Sequence, residues 1–328
     1  MQSEISRKSF LRGFVASGAV AVGTAGCRAF SSGLGEKFDE SLSVIVSDLH
    51  VSGKVPSLAY TQPALTRVVD EILAMRPLPR HVICLGDVAA SFGLDEDYQV
   101  AKPILQRLTD AGIDLKMTMG NHDRRSAFLK AWPEYRMSSP VSGRIVSVIP
   151  LQDADFILLD ALKGTDDRAP NDYGPVDGSI DPLQLNWFED WIARARRPFF
   201  VGTHQGVDLY LKGESFAKRL AKSPWAAGWI YGHDHEWLPN YRIVKWGSVD
   251  TLPVLAVPST GLWGDIGYVL LRTSPKGAVA ELRQLDFYFP KPVPAEQRPG
   301  TWELRLESHR NASHVFTFPR NAPGEVEL

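Results

Sequence analysis

Five short apolar runs, each followed at once by polar side chains, constrain the fold of this chain more than any other feature of the sequence. Runs of this kind are typical of buried strands in a sheet that is covered on both faces. Segments with helical spacing separate the early runs; in 63–75 the residues Leu65, Val68, Val69 and Ile72 would share one helix face. The alternation predicts an α/β fold with polar groups at the strand ends, where open α/β sheets usually bind ligands.

The polar groups that follow these runs combine carboxylates, an amide and imidazoles. In chain order they are Asp48-x-His50, Gly86-Asp87, Gly120-Asn121-His122-Asp123, His204 and Gly232-His233-x-His235. Each motif alone would fit a turn or a core position, but five of them after five apolar runs are difficult to explain by chance. Oxygen and imidazole donors without a thiolate suit a pair of divalent metal ions better than a structural zinc.

In combination, this series resembles the calcineurin-like metallophosphoesterase superfamily over roughly residues 42–290. It is most similar to the branch with cyclic-nucleotide and glycerophosphodiester phosphodiesterases. The resemblance implies a four-layer α/β/β/α sandwich with two facing mixed sheets, and two metal ions, which could be iron, manganese or zinc. It implies three ligand groups: Asp48, His50 and His235 for the first metal, Asp87 as a bridge, and Asn121, His204 and His233 for the second.

The same resemblance implies hydrolysis of a small phosphate ester by a metal-bridging hydroxide, with a diester favoured. His122 would assist the leaving group, and Asp123 would orient His122. A phosphomonoesterase or nucleotidase and a phospholipid-directed hydrolase are alternative enzymes, and a non-catalytic metal-binding envelope protein is an alternative of another class. The family often has two histidines where this chain has His204-Gln205, so the loop that follows is expected to differ. A net charge of −2 provides no basic field for a nucleic-acid polymer.

The amino-terminal residues 1–27 predict an export signal, with a basic start followed by a weakly apolar run. The segment 6–11 resembles a twin-arginine signal with lysine in the second basic position, and 24–27 resembles a lipoprotein cleavage box ending at Cys27. Cleavage after another small residue is the alternative. The expected location is the bacterial cell envelope, facing the periplasm, with membrane attachment through a lipidated Cys27. Residues 28–41 would form a tether.

Residues 42–290 would then be the catalytic domain and 291–328 a carboxy-terminal β extension. Within the domain, Asp95, Glu96 and Asp97 are expected in a polar loop that precedes a helix around 104–109. Asp181 and Pro182 predict a helix start, with Asp181 as the N-cap and Gln184 reaching back to it.

Two weaker features near the motifs have both a functional and a structural interpretation. Arg124 and Arg125 follow the third motif and could grip a substrate phosphate, or they could form a solvated helix start. Four tryptophans that flank the last two motifs could stack on an aromatic group, although core packing is favoured for them. They are Trp225, Trp229, Trp237 and Trp263. Cys84, inside an apolar run, is expected to be a buried hydrophobic residue.

Overall fold

The computed structural model describes residues 37–164, 169, 171–206, 220, 223–239, 252–262, 264–285, 309 and 311–318. The predicted export signal, Cys27 and Trp263 lie outside these residues. In chain order the described elements are β1 (Phe38–Val46), a 3₁₀ turn (Pro56–Leu58), α1 (Thr61–Ala74), β2 (Leu78–Cys84), α2 (Asp95–Asp110), β3 (Asp114–Met117), α3 (Arg125–Ala131), α4 (Glu134–Ser138), β4 (Ser147–Pro150), β5 (Asp155–Leu158), α5 (Pro182–Arg194), β6 (Phe199–Thr203), β7 (Ala226–Tyr231), β8 (Leu238–Pro239), β9 (Val254–Ala256), β10 (Gly267–Ser274), β11 (Gly277–Gln284) and β12 (Ser313–Thr317). None of the described helices is long and apolar enough to cross a membrane.

The strands form two mixed sheets of six strands each. The first has the order β12-β11-β10-β1-β2-β3 and the second β4-β5-β6-β7-β9-β8. In the first sheet β1, β2 and β3 are parallel, and the register aligns their last residues Val46, Cys84 and Met117. In the second sheet β5, β6, β7 and β9 are parallel, and Thr203 of β6 is opposite Tyr231 of β7. The segments that follow these strands therefore leave each sheet side by side.

The two sheets pack face to face and carry helices on their outer faces. Ile45 and Ile83 of the first sheet belong to one buried cluster with Phe156, Phe200 and Ile230 of the second. The other face of the first sheet packs against α1, α2 and α3, and that of the second packs against α5. Alternate residues of β1 and β2 therefore serve two different cores, which is why these runs are apolar throughout. The predicted four-layer sandwich is confirmed.

Several boundaries differ from those expected from the sequence. The end of the predicted tether, 38–41, already belongs to β1. The acidic residues expected in a loop are the first turn of α2, because negative charge is favourable at a helix N-terminus and Asp97 Oδ2 accepts the Leu94 N–H at 3.2 Å. The one described strand of the carboxy-terminal extension, β12, pairs with β11 and so completes the first sheet.

The predicted start of α5 is confirmed at the cap but not at Gln184. Asp181 Oδ1 accepts hydrogen bonds from the N–H groups of Leu183 and Gln184, at 3.0 and 3.3 Å. The Gln184 side chain does not reach back to the cap. Its amide instead pairs with the backbone of Asp160, 2.9 Å from the N–H and 2.8 Å from the carbonyl oxygen, because that buried backbone needs a partner.

Candidate metal centre

The seven predicted metal ligands come from segments that follow five strands of the two sheets. In the first sheet, Asp48 and His50 follow β1, Asp87 follows β2 and Asn121 follows β3; in the second, His204 follows β6, and His233 and His235 follow β7. Six of the seven are buried almost completely, and their donor atoms lie in two groups with Asp87 between them. The carboxyl ends of two facing sheets thus bring together residues that are up to 187 positions apart in the chain, from 48 to 235.

The first group consists of Asp48, His50 and His235. Asp48 Oδ1 lies 3.1 Å from His235 Nε2 and 3.7 Å from His50 Nε2. The two imidazole nitrogens are 3.3 Å apart. Three donor atoms that converge in this way from the segments after β1 and β7 could hold one metal ion.

The second group consists of Asn121, His204 and His233. The Asn121 Oδ1 atom lies 3.0 Å from His204 Nε2 and 2.9 Å from His233 Nδ1. The two ring nitrogens are 3.2 Å apart. The other nitrogen of His204, Nδ1, lies 3.1 Å from the Leu85 carbonyl oxygen, a contact that fixes the orientation of the ring.

Asp87 lies between the two groups. Its Oδ2 atom is 3.1 Å from His204 Nε2 and 3.5 Å from His50 Nε2, while its Oδ1 atom accepts the His122 N–H at 2.8 Å. Asp48 is arranged alike: Oδ2 accepts the His233 N–H at 2.9 Å, and Oδ1 faces the imidazoles. Each carboxylate is therefore fixed through one oxygen and directs the other into the cluster.

The donor set fits metal ions better than it fits a network of hydrogen bonds. Within the described part of the chain, Asp48 Oδ1 is buried and accepts no hydrogen bond, although such an atom normally has a partner. The acidic and histidine side chains form three overlapping triads, and within each triad the donor atoms lie within 4.8 Å of one another. Imidazole and carboxylate donors of this kind suit zinc, iron or manganese. A cation placed among them would satisfy the lone pairs that now face each other.

The buried charges shift the pKa values of the ligands in opposite directions. Burial lowers the pKa of His50 to about 4 and that of His233 to about 4, so both rings are neutral at pH 7. Burial would raise the pKa of Asp48, but the imidazoles of His235 and His204 outweigh it and hold the pKa well below its usual value. Burial would lower the pKa of His204, but the carboxylates of Asp87 and Asp48 outweigh it and raise this pKa to about 9. Binding of a metal ion would therefore release a proton from His204, while His50 and His233 are already neutral.

The ligand loops have an unusual backbone. Asp48, His50, Asp87, His233 and His235 all have positive φ angles, between 45° and 66°. Such conformations cost non-glycine residues about 1–3 kcal/mol each and persist only where the surroundings enforce them. Here neighbouring loops provide that support, since the N–H of Asp48 donates to Gly86 O at 3.1 Å and the N–H of His50 donates to Asp87 O at 2.9 Å. The strain is concentrated on the residues that would bind metal.

Two glycines allow the loops to approach this closely. A Cβ atom on Gly120 would lie 2.0 Å from Asp87 Oδ1, and one on Gly232 would lie 1.9 Å from Ser47 Oγ. Neither position has room for a side chain, because Asp87 and Ser47 are themselves buried. The glycine in each motif is therefore a packing requirement of the site.

His122 lies beside the cluster with its side chain 23% exposed. Its Nε2 atom is 3.9 Å from Asp87 Oδ2, and its Nδ1 atom is 2.8 Å from the carbonyl oxygen of Ser91. The carbonyl oxygen of Ser91, a residue that the sequence did not indicate, therefore orients the ring at Nδ1; an orienting role of Asp123 stays a prediction. A ring that donates from Nδ1 to this carbonyl directs Nε2 toward the metal ligands.

Asp123 holds the surrounding loops together. Its fully buried carboxylate accepts hydrogen bonds from the N–H groups of Ala89 at 3.0 Å and Gly120 at 2.9 Å, and from the Tyr98 hydroxyl at 2.9 Å. It also accepts the Val88 N–H at 3.3 Å. Burial, together with the nearby Asp87 carboxylate, raises the pKa of Asp123 to about 6. The residue joins the segment after β2 to the segment after β3.

The two arginines after the third motif lie at the start of α3, as one of the two interpretations expected, but Arg125 is buried rather than solvated. Arg125 is buried and forms a bidentate ion pair with Asp160, with both N···O distances 2.7 Å. Arg124 donates from Nε to the Phe92 carbonyl oxygen at 2.8 Å and from Nη2 to that of Ala169. Both guanidinium groups therefore organise the protein around the site.

The tryptophans follow the core interpretation wherever the structure describes them. Trp229 and Trp237 are buried, and Trp225 packs against the core cluster of the second sheet. The indole N–H of Trp229 donates to Thr203 Oγ1 at 2.8 Å. Cys84 is also buried, as predicted. The sequence analysis did not identify Ser91 as a partner of His122 or Tyr98 as a partner of Asp123. Gly93, which indicates a turn between them, was the local signal in the sequence.

The chain is similar to proteins of known family and fold. The model of the calcineurin-like phosphoesterase family matches residues 43–237. A crystal structure of a dimetal phosphatase from Danio rerio aligns with a TM-score of 0.56 and 14% identity, covering 74% of this chain and 96% of the other. The sulfate thiohydrolase SoxB from Thermus thermophilus aligns with a TM-score of 0.46 and 14% identity over 82% of this chain and 60% of the other. No curated protein matches the chain by sequence.

Proposed function

The chain belongs to the calcineurin-like phosphoesterase family, and from that premise we propose that it hydrolyses phosphodiesters at a dinuclear metal centre. The observation that carries the proposal is the position of Asp87, whose Oδ2 atom lies 3.1 Å from a ligand of one group and 3.5 Å from a ligand of the other. A carboxylate in this position can bridge two cations. Two bound metal ions would polarise a phosphoryl group and lower the pKa of water.

The protein's own residues supply the remaining chemistry. His122 is exposed enough to meet a substrate, and the Ser91 carbonyl fixes its ring, so Nε2 can donate a proton to the leaving oxygen. Asp87 both faces the cluster and accepts the His122 N–H, which ties the proton donor to the metal ligands. The strained loops hold these groups before substrate arrives.

The preference for diesters rests on two observations. The motif series is most similar to the phosphodiesterase branch of the superfamily. A dianionic monoester would also benefit from an additional cation, but Arg125 binds Asp160, and Arg124 binds loop carbonyl groups. A monoanionic diester makes a smaller demand on positive charge.

The test compares bis(p-nitrophenyl) phosphate with p-nitrophenyl phosphate as substrates of the full chain loaded with manganese, iron or zinc. Metal content is measured in the same samples. We expect two metal ions per chain and a higher kcat/KM for the diester. A higher kcat/KM for the monoester would support the nucleotidase alternative. Absence of hydrolysis at two metals per chain would support a binding protein and contradict the proposal.

The role of His122 can be tested separately from metal binding. His122→Ala should retain two metal ions per chain and lower kcat by about 10²- to 10⁴-fold, because a general acid contributes about that much. The matched control is His314→Ala, which removes a partly buried imidazole on β12. Full activity in His122→Ala would remove this histidine from the mechanism.

The proposed location is the bacterial cell envelope, with attachment through a lipid on Cys27. The support is the resemblance of residues 6–11 and 24–27 to export and lipoprotein signals. The chain has two cysteines, and the second, Cys84, is buried in the core. Labelling with a clickable palmitate analogue should therefore be lost in Cys27→Ser and retained in Cys84→Ala. Equal labelling and membrane association of the two variants would contradict lipidation at Cys27.

A further inference from the structure

Two aromatic side chains form an open surface next to His122, which we name the aromatic ledge: Phe92 and Tyr173. Their ring centroids are 4.6 Å apart, and the Tyr173 ring lies 5.8 Å from the His122 ring, nearly perpendicular to it at 88°. Tyr173 is 55% exposed, an unusual state for a large aromatic residue with nearby packing partners. The ledge thus places an accessible ring beside the proposed proton donor.

The protein fixes the ledge to the metal centre through the backbone. Arg124 donates from Nε to Phe92 O at 2.8 Å and from Nη2 to Ala169 O, so one side chain joins the two loops that carry the aromatic rings. The neighbouring Gly93 has a φ of 64°, and a Cβ atom there would lie 2.6 Å from His122 O. The loop of Phe92 is therefore packed tightly against the segment after β3, and this packing fixes the position of the ledge relative to the site.

We propose that the aromatic ledge binds a flat aromatic or heteroaromatic group on the leaving-group side of the substrate, such as an aryl ring or a nucleobase. This inference rests on the proposed function, because it takes His122 as the residue that faces the leaving oxygen. A planar group bonded to that oxygen would lie next to the Tyr173 ring, where stacking is favourable. The ledge consists of two rings, which is too small an area to cover an acyl chain.

Binding of two non-hydrolysable ligands tests the ledge without requiring turnover. Phenylphosphonate and methylphosphonate share the same phosphonate group and differ in the planar ring. Isothermal titration of the metal-loaded full chain should give a lower Kd for phenylphosphonate. Tyr173→Ala should reduce this preference by at least about 5-fold, while Tyr173→Phe should keep it, because the ring and not the hydroxyl makes the contact.

Met137→Ala is the control, since Met137 is an exposed apolar residue on α4, outside the ledge. It should leave the preference unchanged. Equal affinity of the wild-type chain for both phosphonates, or an unchanged preference in Tyr173→Ala, would overturn the ledge while hydrolysis of diesters could still stand. If neither phosphonate bound and neither ester were hydrolysed, the proposed function and the ledge would both be overturned.

Discussion

Arg125→Met should destabilise the protein strongly and leave substrate binding nearly unchanged. The guanidinium of Arg125 donates from Nε and Nη2 to the two carboxylate oxygens of Asp160, and from Nη1 to Gly164 O at 3.0 Å. The Asp160 carboxylate also accepts the N–H groups of Ile145 and Leu162, at 3.0 and 3.1 Å. Removing the arginine would leave a buried carboxylate without its cation and at least one loop carbonyl without its donor.

The magnitude follows from the burial of this pair. Breaking a buried ion pair by removal of one partner costs about 3–5 kcal/mol, mostly because the remaining charge stays buried. A loss of that size should lower Tm by roughly 6–15 °C in a domain of this length. Asp160→Asn should cost a similar amount for the same reason. The double variant should lose clearly less than the sum of the two single losses, since neither charge then remains alone.

Urea unfolding followed by tryptophan fluorescence, with Tm as a second measure, gives these free energies. The matched control is Arg67→Met, because Arg67 forms an exposed ion pair with Glu71 at 3.1 Å on α1 and should contribute only about 0–1 kcal/mol. KM for bis(p-nitrophenyl) phosphate should stay within about twofold in Arg125→Met, measured below its Tm. A change in stability below about 1 kcal/mol together with a tenfold rise in KM would refute this reasoning and restore Arg125 as a substrate ligand.

Three further predictions concern the support of the site. Gly120→Ala should lower the metal content below two ions per chain, because its Cβ atom would lie 2.0 Å from Asp87 Oδ1. The control is Gly143→Asn, at a position in open space with a φ of 72°, and this variant should bind two metal ions. Tyr98→Phe should lower the free energy of unfolding by roughly 1–3 kcal/mol, since the hydroxyl is a hydrogen-bond partner of a buried carboxylate; unchanged urea unfolding would show that another donor replaces it. Burial raises the pKa of Asp97 from 3.8 to about 6, so this carboxyl binds its proton more tightly in the folded chain, and its own contribution to the free energy of unfolding should fall as pH rises from about 4 to about 6. The free energy of unfolding of the wild-type chain minus that of Asp97→Asn, measured with urea, should therefore decrease over this range, and a constant difference would contradict the shift.

The sequence by itself predicted the strands and the polar groups at their ends, and its resemblance to the calcineurin-like superfamily implied the sandwich and the metal ligands. Apolar runs that serve two cores predicted the strands, and the polar motifs followed those runs directly. The strand register aligns the ends of β1, β2 and β3, so the motifs that follow these strands lie close together although they are far apart in the chain. The start of α5 could also be predicted from the sequence, because the N-cap Asp181 and the first helical residues are adjacent in the chain.

Only the tertiary structure decided which partner each polar side chain around the centre takes. The Ser91 carbonyl contacts His122, Arg125 pairs with Asp160, and Tyr173 comes from a distant loop to lie beside His122. The physical reason is that these contacts join loops that packing brings close together. Contacts between such loops leave no periodic pattern in the sequence. A side chain with several hydrogen-bonding choices takes the one that packing brings within reach.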